Sequence, residues 1–428
     1  MQVHVVTAGE TLSTISNKYN VSPQHILNIN QITSPGQLIA GRTLLIPARP
    51  AYIVKPGDTL WSIAKKYNVD YQQLLKQNPQ LEGQMLYPGT VIRLPERRKS
   101  TIIVNGFLEP SSNTEDFEEA KSALTYLSVF QYKVTSDGDI VPPDNEEVLL
   151  HAVKNSRVRP FMVITNVDSE AFSADIAKNI LSSTSVQNRL FENIVNQLKE
   201  KGFSGVNVDF EFLGTNTRQL NNRFLKRLTD RLHKENFKVA ASLAPKLSGQ
   251  QTGAWYEAHD YQTVGKIVDF VVLMTYEWGW SGGPPMAVSP MAQVRAVVNY
   301  ARSVIPKNKI VMSIPLYGYD WTLPYTEGGE FAKALTTNQA YELAARYRAQ
   351  IQYDVKAEAP FFHYTDENGK RHVVWFSDLR MMEAMFQLVN EYQLGGISFW
   401  NLAFRYPQVW PLITDYFNVK RVLRQMLG

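Results

Sequence analysis

Cysteine is missing from all 428 residues, so disulfides and thiolate metal sites are excluded, and redox usage says nothing of the compartment. No apolar stretch runs unbroken for the roughly 20 residues a membrane-spanning helix needs, and no membrane span is expected. Charge of one sign is also scarce: 44 Lys and Arg against 40 Asp and Glu leave +4, which gives no footprint for nucleic acid but suits an anionic polymer. The seven histidines are dispersed with no His-Glu-x-x-His pattern, and there is no Gly-x-Ser-x-Gly elbow and no glycine-rich phosphate loop. Neither a metal nor a cofactor is expected. A signal peptide is missing too: Met1-Gln2-Val3-His4 leads directly into a repeat, and the expectation is another export route or a trimmed leader.

That repeat is the first thing present. Val6-Thr-Ala-Gly-Glu-Thr-Leu and Val54-Lys-Pro-Gly-Asp-Thr-Leu open two copies of one pattern, offset by 48 positions, in which Leu27 meets Leu75, Asn30 meets Asn78 and Pro47 meets Pro95. Each copy reads strand, helix, helix, strand, with Thr11 and Thr59 as N-caps and Leu12, Ile15, Tyr19 and their counterparts as the apolar stripe. Two copies are too few for a solenoid, so two small independent modules are expected, over 2–47 and 52–95. The charged stretch Glu96 to Ser100 reads as a linker.

Both copies resemble LysM domains, βααβ modules that bind polymers containing N-acetylglucosamine. The resemblance implies a shallow groove lined by Gly9, Glu10, Thr11 and Leu12 in the first copy and by Gly57, Asp58, Thr59 and Leu60 in the second. It also implies peptidoglycan as a partner, held weakly by each module and more firmly by two in tandem.

From Thr101 to the end at 428, apolar strands alternate with amphipathic helices. Eight candidate strands, Thr101 to Phe107, Tyr126 to Tyr132, Val158 to Asn166, Val206 to Phe212, Val239 to Ala244, Val268 to Tyr276, Ile310 to Tyr317 and Gly396 to Trp400, predict an α/β fold, a (β/α)8 TIM barrel. A doubly wound open sheet is the alternative. Asp320 to about Ser377 is too long for a crossover and reads as a small α+β insertion walling a cleft, with a hairpin turn at Glu367 to Lys370.

The fourth strand carries the chemistry. In Gly205-Val-Asn-Val-Asp-Phe-Glu-Phe212, Val206, Val208, Phe210 and Phe212 point one way, and Asn207, Asp209 and Glu211 the other. Burying ionisable groups costs several kcal/mol unless they are paired, so this face reads as an active site; a wet edge strand is the alternative. The two carboxylates, with Cα atoms roughly 6–7 Å apart, interact, and Glu211 is the candidate general acid.

This strand resembles the Asp-Gly-x-Asp-x-Asp-x-Glu signature of glycoside hydrolase family 18. Met274-Thr-Tyr276 and Pro315-Leu-Tyr-Gly318 resemble the sixth- and seventh-strand motifs, and Trp400 the aromatic floor of the eighth. The sequence departs from the pattern at Asn207 and Ser204, where aspartates are usual, and at Phe161 to Asn166, where a Ser-x-Gly-Gly motif is usual. The resemblance implies that the substrate's own 2-acetamido group attacks the anomeric carbon. Asp209 then orients that group, Tyr276 hydrogen-bonds its carbonyl oxygen and Trp400 floors the sugar. Candidate catalytic residues are thus Glu211, Asp209 and Tyr276; candidate substrate-binding residues are Asn207, Trp400, Met274, Tyr132, Asn166 and Tyr317. The arrangement as a whole resembles the cortex-lytic glycosidases of endospore-forming bacilli. The expectation is a monomeric N-acetylglucosaminidase of the spore cortex or coat, or of the extracellular cell wall. A chitinase-like enzyme, a muramidase and an inactive sugar-binding lectin are the alternatives.

Overall fold

Eight parallel strands close on themselves in a computed structural model of the chain, which describes residues 1–34, 37–47, 51–96, 98–169 and 171–422. They are β1 (Ser100–Leu108), β2 (Tyr126–Val134), β3 (Arg159–Thr165), β4 (Gly205–Asp209), β5 (Lys238–Leu243), β6 (Phe270–Leu273), β7 (Ile310–Pro315) and β8 (Gly396–Trp400). Each pairs in parallel with its neighbours, and β8 pairs with β1 to complete the ring. The fold is therefore the barrel, not the open sheet. The end of the expected barrel, 423–428, lies outside the described residues, as does Arg97 of the expected linker.

Alternation along each strand divides two apolar regions. Val206, Val208, Val239 and Leu243 face the surrounding helices in the large core, whereas Phe107, Phe130, Phe161, Ala240 and Val272 fill the barrel's interior. Above that interior layer the strands present polar side chains to one another. Asn105 donates to Ser398 (2.9 Å) and accepts from Ser128 (3.0 Å), and Asn207 donates to Ser242 (3.0 Å).

After β7 the chain leaves the barrel and builds a five-stranded antiparallel sheet, from Tyr317–Leu323 to Arg371–Trp375, with the helix Thr337–Arg346 packed on it. The expected hairpin is present, pairing Thr365 with Arg371.

Each N-terminal module is a two-stranded antiparallel sheet with two helices. Thr11 and Thr59 cap the first helices in full capping boxes. The buried Asn30 and Asn78 each tie a helix to the last strand: Asn30 donates to Ile26 O and Leu45 O (both 2.8 Å), and Asn78 to Leu74 O (2.8 Å) and Arg93 O (2.7 Å). Each module has its own small core, but the first also packs onto the barrel and the insertion. Leu45 lies in the main core, Thr43 Oγ1 is 2.8 Å from the Tyr341 hydroxyl, and Gln408 donates to Asn30 O (2.7 Å). Gly41, at φ +88°, lies so close to Ile351 that a Cβ would sit 2.5 Å from its carbonyl oxygen.

Candidate active site

The C-terminal rim of the barrel gathers the carboxylates. Asp209 is the last residue of β4 and only 5% exposed, while Glu211 lies just beyond it, partly exposed to the cleft. The expected strand ran to Phe212, but β4 ends at Asp209 because the chain turns. Phe212 adopts φ +50° and is 44% exposed, so it does not join Val206, Val208 and Phe210 on the packed face.

Two side chains hold this turn by its backbone. Asn166, at the end of β3, accepts the Glu211 N–H and donates to the Glu211 carbonyl, both at 2.9 Å. From the opposite side His259 donates through Nε2 to Phe210 O (3.0 Å) while its Nδ1 accepts the Ala244 N–H (2.8 Å). Those partners fix the neutral tautomer, and burial pushes its pKa down to about 4. The wholly buried Lys246 donates to His259 O (3.0 Å), bracing the same network.

Burial raises the pKa of both carboxyls. For Glu211 the Asp209 charge and then the Glu277 charge add to burial, against an opposing hydrogen bond from the Trp255 indole. For Asp209 the Ser242 hydroxyl opposes burial. Both shifts favour a retained proton on the pair, and Glu211 has the larger set of raising influences.

Met274 and Tyr276 follow β6 and pack with Val288 and Tyr317; Trp255 and Trp400 border the same cluster. Tyr276 is buried, and burial and both carboxylates push its pKa well up, so it stays a neutral donor. Trp400 ends β8 with its ring against Phe130 (4.9 Å) and Phe107 (5.4 Å). Asn207 lies one turn of the pleat below Asp209, its Oδ1 without a partner.

Other expected residues have different work. Asn166 and Tyr317 are occupied, the first by the Glu211 backbone and the second by the Glu277 carboxylate, which also accepts from Tyr319 at 3.1 Å. Tyr132 is not in the cleft at all. A bulge between Val129 and Tyr132 shifts the register of β2, so the ring turns outward onto Phe203 and its hydroxyl meets Glu146. Gln131 takes the inward place and accepts from Thr165 (2.7 Å). Sequence reasoning missed Glu277, although it directly follows Met274-Thr-Tyr276, and also Trp255 and His259, which sit on an irregular loop.

In the first module a cavity of about 340 Å³ is lined by Glu10, Thr11 and Leu12 with Leu27, Thr33 and Leu38. Glu10 is itself a turn lock, accepting the Thr7 N–H (2.7 Å) and meeting His4 Nε2 (2.9 Å); Asp58 repeats this with the Lys55 N–H (2.7 Å) and the Tyr52 hydroxyl (2.5 Å).

The model of glycosyl hydrolases family 18 matches residues 97–404, and that of the LysM domain matches residues 4–47 and 52–95. The chain belongs to glycosyl hydrolases family 18. Membership makes it a glycosidase. The cortical fragment-lytic enzyme of Bacillus subtilis (strain 168) is 49% identical over 98% of this chain and 99% of its own. The spore cortex-lytic enzyme SleL of Bacillus cereus superposes with a TM-score of 0.91 at 36% identity, covering 98% of each chain; that of Bacillus megaterium QM B1551 gives 0.86 at 41%, covering 99% of each.

Proposed function

We propose that this protein hydrolyses β-1,4 bonds of N-acetylglucosamine in spore-cortex peptidoglycan fragments, with retention of configuration and the substrate's acetamido group as nucleophile. The observation that carries this reading is the buried Asp209 beside Glu211, two carboxyls close enough for their charges to interact, near the buried Tyr276, whose cluster Trp400 borders. Relatives named as cortex-lytic over their full length supply the substrate class.

The chemistry runs in two steps. Glu211 gives its proton to the glycosidic oxygen as the C1–O bond breaks, and the acetamido carbonyl oxygen bonds to C1, forming an oxazolinium ion. Asp209, as the anion, faces the acetamido N–H and offsets the positive charge, while the Tyr276 hydroxyl donates to the acetamido oxygen. Water then attacks C1 and passes its proton to the Glu211 carboxylate, and the acetamido group reforms. Every group named comes from one chain, as a monomer requires.

The LysM modules, over 2–47 and 52–95, hold glycan near a barrel beginning at residue 101. Location in the spore cortex or coat follows from this substrate. The test is mass spectrometry of the products from purified cortex muropeptides. N-acetylglucosamine at the new reducing end supports the assignment, whereas muramic acid there makes the protein a muramidase.

A further inference from the structure

Trp255 lies on the irregular loop between β5 and the helix Tyr261–Ile267, and its indole Nε1–H is hydrogen-bonded to Glu211 Oε2. Among the described residues it is the one side-chain hydrogen-bond donor that reaches this carboxyl. The indole is itself held. Phe212 stacks on its face at 5.9 Å with the planes 10° apart, and Tyr256 packs at 5.2 Å. Phe212 can do so because its φ of +50° turns it away from the core and over the loop, where Phe172 supports it at 6.2 Å.

We propose that Trp255 is a positioning residue for the acid, reserving Glu211 Oε1 for the proton that goes to the substrate. An indole N–H donates and cannot accept, so the oxygen it bonds must be an acceptor. The carbonyl oxygen is the better acceptor of a neutral carboxyl, so this bond favours the proton on Oε1. A terminal carboxyl torsion is otherwise broad and two-fold, which leaves either oxygen free to face the leaving group. With Oε2 pinned, Oε1 gives its proton to the glycosidic oxygen, and the same oxygen takes the proton of the attacking water. The indole bond strengthens once Glu211 is charged, so it favours the transfer and opposes the rise in pKa that burial imposes.

The inference rests on Glu211 being the acid, and Glu211→Gln separates the two questions. If that variant retains its activity on natural glycosides, the assignment of the acid fails; if it is inactive, the Trp255 experiment stands alone. Trp255→Phe keeps an aromatic ring for Phe212 and removes the N–H along with part of the bicyclic ring. Because the lost bond favoured the charged form, the alkaline limb of kcat/KM should move to higher pH. The fall in kcat/KM should be roughly tenfold or more for a natural glycoside, and several-fold smaller for an aryl glycoside whose phenol leaves without full protonation. Phe212→Leu, which keeps the N–H but loosens its support, should move the limb in the same direction by less. An unmoved or lowered limb in Trp255→Phe, or equal losses on the two substrates, overturns the proposal and leaves Trp255 as a wall of the cleft.

Discussion

Asn166 grips Glu211 at both ends of its residue, accepting the N–H and donating to the carbonyl, at 2.9 Å each. The proposed acid is therefore aimed from β3, across the strand boundary, and not only by its own strand. Asn166→Ala should lower kcat by about 10- to 100-fold with little change in KM, since displacements near 1 Å cost that much in positioned chemistry. It should also cost about 1–3 kcal/mol of stability by leaving the Glu211 backbone unpaired. Steady-state kinetics with denaturant melts check both. A normal kcat would mean the turn keeps its shape without this clamp.

His259 makes a second clamp with a pH signature. Its folded-state pKa near 4 lies below the ordinary 6.5, so between these values the unfolded chain binds a proton that the folded chain refuses. The contribution is complete above pH 6.5 and disappears as pH falls towards 4, on the order of 3 kcal/mol in all. His259→Gln, which keeps a neutral donor and acceptor, should lose that much less stability than the parent between pH 7 and pH 4. Parallel stability curves for the two proteins would show that His259 is not the titrating group.

How far such features could be read beforehand depends on whether local pattern controls them. The eight strands, the acidic pair and the insertion follow from alternation and spacing, which the barrel obeys. Tyr132 broke the reading because one bulge inverts the parity of a strand, and no residue type announced it. Phe212 did so because the chain leaves the strand at a positive φ that a phenylalanine rarely adopts. Trp255 and His259 reach the site from a loop, where no periodicity operates. The docking of the first module, in contrast, had a signal: Leu45 occupies the repeat position at which the second module has Arg93.

That pair gives a matched test. In the first module's last strand all four residues are buried, Leu44 and Ile46 in the module and Leu45 in the barrel's core; in the second module's, Val91 and Arg93 are exposed around the buried Ile92. Leu45→Ala should cost about 2–4 kcal/mol, and Arg93→Ala less than about 0.5 kcal/mol. Deleting residues 1–98 should accordingly lower the melting temperature of the barrel as well as its binding to intact sacculi. Thermal scans on purified proteins decide it. Equal effects of the two substitutions would return the first module to the status of a free tether.

The presence of Glu277 sharpens the test of mechanism, since a third carboxylate is a conceivable nucleophile. Its Oε1 is engaged by the hydroxyls of Tyr317 and Tyr319, and burial raises its pKa, both of which make it a poor one. With the acetamido group as nucleophile, a deacetylated substrate should not turn over and a thiazoline mimic of the oxazolinium ion should inhibit competitively. Asp209→Asn should slow natural and aryl glycosides alike, because it acts on formation of the ring, whereas Glu211→Gln should spare a larger fraction of the rate on the aryl glycoside. Glu277→Gln should retain measurable turnover and the β-anomer as first product, followed by proton NMR in the first minutes. Complete loss of activity in Glu277→Gln, restored with inverted configuration by an added small nucleophile such as azide, would instead identify a carboxylate-bound glycosyl intermediate. The acetamido route would then be wrong, even with the family assignment intact.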